Sequence, residues 1–194
     1  MTALDTSWTE SDRTAARQPE ARARCAAGCA ALTGVIHLAV APEHARGWWL
    51  SGVFFVFVAV AQFALAWSVL RRPGPIALLI GIWGTLQLIA LYVLSRTAGL
   101  PFAPAHEHAA GGRLDHLPVA GGIGNGVPIM PTPAAGHAEA VGALDLTALA
   151  AELTVVAILV GLLPAGLRRS TTNLVLTAGL GVWTVRAALA VVPW

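Results

Sequence analysis

The 194 residues are 56% hydrophobic and 11% charged, with a mean hydropathy of +0.69 and a net charge of +2. An ordinary soluble domain has about a quarter of its residues charged, so this composition excludes that class and leaves little chain for a soluble domain. All 12 basic residues are arginine, with no basic run, zinc finger or aromatic-interleaved basic strand, so nucleic acid is not an expected partner.

Lysine-free chemistry alongside abundant Ala and Gly fits the codon bias of a GC-rich genome. Apolar runs of about 20 residues mark membrane spans, and five occur: 25–41, 48–70, 76–95, 146–164 and 173–192. The expectation is an all-α polytopic membrane bundle. Residues 1–24 read as a polar cytoplasmic tail without stable structure, and 25–194 as one five-helix transmembrane domain in contact with the lipid bilayer.

The first span opens with Cys25 and Cys29, four residues apart and so on one helical face. They can be read as a soft-metal or redox pair, or more simply as small residues packing in a helix. Ala39-Val40-Ala41 has the look of a signal-peptide cleavage site. Pro42 directly after it and His37 inside the apolar block favour a retained helix. Pro42 is also expected to limit that helix, because the residue before a proline avoids the α region.

The remaining boundaries carry ordinary start and stop chemistry. Residues 42–46, Pro-Glu-His-Ala-Arg, read as the turn between the first two spans. Arg71-Arg72-Pro73-Gly74-Pro75 reads as a tight turn, with Pro75 suited to the first position of the next helix. Asp145 is expected to cap the fourth helix, and Pro164-Ala165-Gly166 to end it. Gly81, Gly84, Gly179 and Gly181 offer small surfaces for close approach. Gln62 and Gln87 are expected to hydrogen-bond across the bundle as structural glue.

Orientation follows from the arginines. Arg13, Arg17, Arg22, Arg24, Arg71, Arg72, Arg168 and Arg169 fall on one side, against Arg46, Arg96 and Arg113 on the other. The positive-inside rule then places the N-terminus in the cytoplasm and the C-terminus outside. Trp48, Trp49 and Trp194 fall at the outer interface. The expected location is a bacterial cytoplasmic membrane.

Three ionisable residues, His37, Glu152 and Arg186, lie inside these spans. A charge at mid-bilayer costs roughly 2.5–3.5 kcal/mol on insertion scales. At about 1.5 Å per residue, Glu152 and Arg186 each lie roughly 9 Å, and His37 roughly 6 Å, from the outer helix ends. One outer layer therefore receives an imidazole, a carboxylate and a guanidinium. A Glu152–Arg186 ion pair is the simplest prediction, since the fourth and fifth spans are joined by a short turn.

Above that layer come Glu43, His44, Arg46 and Arg96. His37, Glu43 and His44 form a candidate site for copper or zinc, with Glu152, Arg186 and Arg96 setting charge or structure around it. His37 and His44 are seven apart, so they share one face only where the helix is unbroken. The long outer loop, 98–144, is rich in Pro, Gly, Ala and His. Its His106, His108 and His116, with Met130 and His137 nearby, form a secondary metal-collecting set; a solvated connector is the simpler reading. Gly121-Gly122-Ile123-Gly124-Asn125-Gly126 lacks the strand, helix and lysine that a phosphate loop requires.

The His37…Pro42-Glu43-His44 segment, the aromatic helix after it, and Ser95-Arg96-Thr97…Gly99-Leu100-Pro101-Phe102 resemble a group of small multi-pass membrane proteins of high-GC bacteria. That group has no established activity. The resemblance covers the spans and implies the architecture, but it transfers no catalytic residue. No G-x-S-x-G nucleophile or H-E-x-x-H helix is present, so catalysis is the least supported class. Two functions remain: an outward-facing metal-binding or metal-handling protein, and a non-catalytic membrane subunit or assembly factor. The second would work with a membrane protein partner or as a homo-oligomer, and its buried charges would be structural pairs.

Overall fold

In the computed structural model, the backbone of residues 10–97 and 142–191 is described, with side chains for 18–95, 142–182 and 184. Every described element is helical: α1 (Glu10–Gly47), α2 (Trp49–Leu70), α3 (Pro75–Thr97), α4 (Ala143–Leu162) and α5 (Ala165–Val191). Four of the five are long and apolar enough to cross a membrane: Gln18–Gly47, Trp49–Leu70, Pro75–Ser95 and Ala143–Leu162. The described residues thus form an all-helical structure with the architecture of a multi-pass membrane protein.

α1 differs from the sequence expectation at both ends. It begins at Glu10, within the segment expected to lack structure, and runs 38 residues to Gly47. At 1.5 Å per residue that is about 57 Å, well beyond a hydrocarbon core of about 30 Å. It also passes through Pro19 and Pro42. Pro42 therefore does not limit the helix, and residues 42–46 are helical rather than a turn. Pro42 is exposed, and the flanking residues are held by packing against α2, which outweighs one lost backbone hydrogen bond.

The reversal into α2 instead rests on Trp48, the one residue between the helices, in an extended conformation (φ −156°, ψ 113°). The Trp48 N–H donates to the His44 carbonyl at 3.0 Å. The Ser51 hydroxyl lies 2.9 Å from the His44 carbonyl and 2.7 Å from that of Trp48. So tight a hairpin needs small residues. A Cβ on Gly52 would fall 2.4 Å from the Ala45 Cβ, and one on Gly34 would fall 3.1 Å from the Phe63 ring.

α1 and α2 form the most extensive interface, α4 packs on α1, and α3 on α4. The apolar core joins Ala26, Ala27 and Ala30 of α1, Ala66 and Val69 of α2, Leu78 and Ile82 of α3, and Val155, Leu159 and Leu163 of α4. Alanines on α1 let α2 and α4 pack closely against it. Gly81 is the other close approach, where a Cβ would lie 2.6 Å from a Leu65 methyl and 3.1 Å from one of Leu159. Gly84, Gly179 and Gly181, also expected to serve this way, face open space.

α4 starts at a Gly142 N-cap, not at Asp145; Asp145 is the third helical residue and accepts the Gly142 N–H at 2.8 Å. Glycine has no side chain to reciprocate, so this is one half of a capping box. α5 makes sparse contact with α4. Its residues from 165 to 182 are exposed except Thr171 and Val175.

The helices alternate in direction, giving the bundle two ends. The arginine end holds Glu20, Arg71, Arg72 and the start of α5. There the Arg72 guanidinium meets the Glu20 carboxylate at 2.6 Å, and the Arg71 guanidinium sits 4.4 Å from the Trp67 ring. A cleft of about 510 Å³ opens beside them between Arg24, Leu78 and Leu162. The histidine end holds His44, Trp48 and the start of α4.

Candidate functional site

Because α1 is unbroken, residues spaced by three or four recur on one face. That face runs Ala26, Ala30, Thr33, His37, Val40 and His44, and it continues the apolar core toward the histidine end. His37 and His44 are both half-buried there, against a single ring of α2. The Phe55 centroid lies 5.7 Å from the His37 ring and 4.2 Å from the His44 ring.

The two imidazoles differ in bonding. His44 Nδ1 lies 3.0 Å from the Val40 carbonyl. A carbonyl only accepts, so this contact places the proton on Nδ1 and leaves Nε2 with its lone pair. His37 Nδ1 is buried and has no hydrogen-bond partner among the described residues. Such a nitrogen is an orphan in an interior where polar atoms are normally paired.

Glu43 is not part of this face. It is exposed and one residue, about 100° of helix turn, from His44. Among the described residues, no group of three His, Cys, Asp or Glu side chains is placed to hold a metal ion. His37 and His44 come together around Phe55, then, without a third protein ligand beside them among the described residues. His106, His108, His116, Met130 and His137 lie outside the described residues, as do the side chains of Arg96 and Arg186. Cys25 and Cys29 are free thiols at the opposite end; Cys25 is exposed and Cys29 packs on the core.

Glu152 is 4% exposed, within the bundle and not at its rim. Its expected partner Arg186 belongs to α5, but the side-chain pairing falls outside the described residues. Three further polar side chains are as deeply buried: Thr33 at 0%, Gln62 at 3% and Thr85 at 2%. Gln87, expected to face Gln62 across the bundle, is exposed instead. The Gln62 Oε1 is buried without a hydrogen-bond partner among the described residues.

Sequence reasoning passed over Thr33, Phe55 and Thr85. The signal for Thr33 was available, since it lies four residues before His37 on the face carrying His44. Phe55 and Thr85 carried none, because only packing distinguishes them from the lipid-facing aromatic and polar residues around them. No family model matches the chain, and neither curated proteins nor solved structures yield a match.

Proposed function

We propose that this chain is a five-span protein of a bacterial cytoplasmic membrane, N-terminus inside and C-terminus outside. On this reading it binds a transition metal, copper or zinc, at its outer end through His37 and His44. The arginine distribution supports the orientation, putting the histidine end outside. The observation that carries the metal reading is the shared face: two imidazoles against one phenyl ring, one with an orphan buried nitrogen. The His44 Nδ1 contact to a backbone carbonyl is the arrangement that orients a metal-ligating imidazole, leaving Nε2 to bind. Both metals accept imidazole nitrogen. The remaining positions would be filled from the rim, by Glu43 or by the loop histidines His106, His108 and His116.

The test is metal content by mass spectrometry after purification in detergent. About one copper or zinc per chain, lost in both His37→Ala and His44→Ala, is the expected result. No metal above background after incubation with either ion would overturn the reading. A second reading, a non-catalytic subunit or assembly factor, is favoured by α5, whose described side chains lie almost wholly exposed. Co-purification of a stable membrane partner, or a homo-oligomer lost on deletion of 165–191, would support it.

A further inference from the structure

Among the described residues, the buried polar side chains other than Thr171 of α5 follow one pattern. On each of four helices one of them lies a single turn beyond the last residue of the apolar core, always toward the histidine end. Thr33 follows Ala30 on α1, Gln62 precedes Ala66 on α2, Thr85 follows Ile82 on α3, and Glu152 precedes Val155 on α4. Ala30, Ala66, Ile82 and Val155 are members of one packed cluster. Steps of three or four residues raise each chain by about 4.5–6 Å, so the four polar residues form the next layer of the same bundle. We propose that this layer is an intramembrane site for one alkali cation, with sodium as the fitting example, bound by the Glu152 carboxylate and the oxygens of Gln62, Thr33 and Thr85.

Three features of the layer select that ligand. First, every named donor atom is oxygen, which suits hard cations and not the soft or nitrogen-seeking metals expected at the imidazoles. Second, the layer holds one carboxylate, so a single positive charge makes it neutral. A divalent ion would leave one uncompensated charge in hydrocarbon, at a cost of several kcal/mol. Third, the Thr33 and Gln62 oxygens are free to coordinate. The Thr33 hydroxyl donates its proton to the Ala30 carbonyl at 2.9 Å, so its lone pairs remain. The Gln62 Oε1 has no hydrogen-bond partner among the described residues.

A bound cation would neutralise Glu152. Among the described residues no cation pairs with it; the ion pair present there, Arg72–Glu20, is at the other end of the bundle. Ionisable residues buried in a membrane bundle characteristically mark ion or proton pathways. The site is separate from the imidazoles around Phe55 and uses none of their atoms, so either can fail without the other.

The experiment is thermal unfolding of the full chain in detergent, after treatment with a chelator to strip transition metals. Sodium chloride is titrated against choline chloride at constant ionic strength. Sodium is expected to raise the midpoint saturably, by on the order of 5 °C at a hundredfold excess over its dissociation constant. The rise should vanish in Glu152→Gln and shrink in Gln62→Leu. Arg186→Gln should keep it. Should Glu152→Gln fail to fold, Thr85→Val carries the test, with sodium affinity by titration calorimetry reduced several-fold. Four outcomes overturn the proposal. These are equal midpoints in sodium and choline, an undiminished response in Glu152→Gln, stabilisation by acid alone, and sodium dependence that appears only when Arg186 is removed.

Discussion

The two ends of the bundle are built from the same four helices and filled in opposite ways. Toward the arginine end the core of these helices is alanine, leucine, isoleucine and valine, and at the rim stand the solvent-accessible Arg72–Glu20 pair and the Arg71 guanidinium over Trp67. Toward the histidine end, one turn past Ala30, Ala66, Ile82 and Val155, each of these four helices buries a polar side chain, among apolar ones such as Ile36, Val40, Val58 and Ala59, and His37 and His44 follow. Apolar packing needs no bonding partner, whereas a buried polar atom without one costs about 1–3 kcal/mol. The arginine half therefore suffices to hold the helices together. The histidine half carries groups whose retention needs another cause, and ligand binding supplies one.

Substitutions can break this contrast at either end. The largest expected effect is Gly52→Val, which drives a side chain into Ala45 where even a Cβ would sit 2.4 Å away. Loss of about 3 kcal/mol or more is expected in a reversible detergent unfolding assay. It should open the histidine end first, read as early hydrogen exchange near His44. An unchanged midpoint would mean the hairpin is not as tight as described.

Phe55→Ala comes next. It removes the half-buried ring both imidazoles touch, and should cost about 2 kcal/mol while releasing bound copper or zinc. Retention of metal at wild-type stoichiometry would separate Phe55 from the site.

At the arginine end Arg72 holds a left-handed conformation (φ 55°), which costs a side-chain-bearing residue about 1–2 kcal/mol. Its exposed ion pair with Glu20 contributes under about 1 kcal/mol. Arg72→Gly should thus exceed Arg72→Ala in stability by roughly 1 kcal/mol, since both lose the pair and only glycine relieves the backbone. Equal midpoints would argue against that backbone conformation.

The smallest effect belongs to Gly84→Ala. Nothing lies within 4 Å of the Cβ it would add, so the variant should gain about 0.5–1 kcal/mol from helix propensity alone. A loss there would reveal a neighbour packed on that face in the membrane.

Much of the site was legible beforehand, though unevenly. The seven-residue spacing of His37 and His44 predicted a shared face on condition of an unbroken helix, and Pro42 argued against that condition. Proline's cost is local and fixed, while the packing of Ala41, Ala45 and Gly52 across the hairpin is set by tertiary contact; the contact prevailed. Glu152 was conspicuous as a carboxylate in an apolar run. Gln62 and Gln87 looked alike, yet one is buried and the other exposed, because hydropathy does not say which side of a uniformly apolar helix faces its neighbours.

The sequence by itself determined the class of the molecule. Runs of apolar residues long enough to cross a bilayer leave the helix as the structure that satisfies their backbone groups within one segment. The asymmetry of the arginines is likewise a property of the chain alone, and it underlies the proposed orientation. Only the tertiary structure decided which polar groups share the interior. That depends on the rotation of each helix about its axis, fixed by small-residue contacts at Gly34, Gly52 and Gly81. Through those contacts Thr33, Gln62, Thr85 and Glu152 become a single layer.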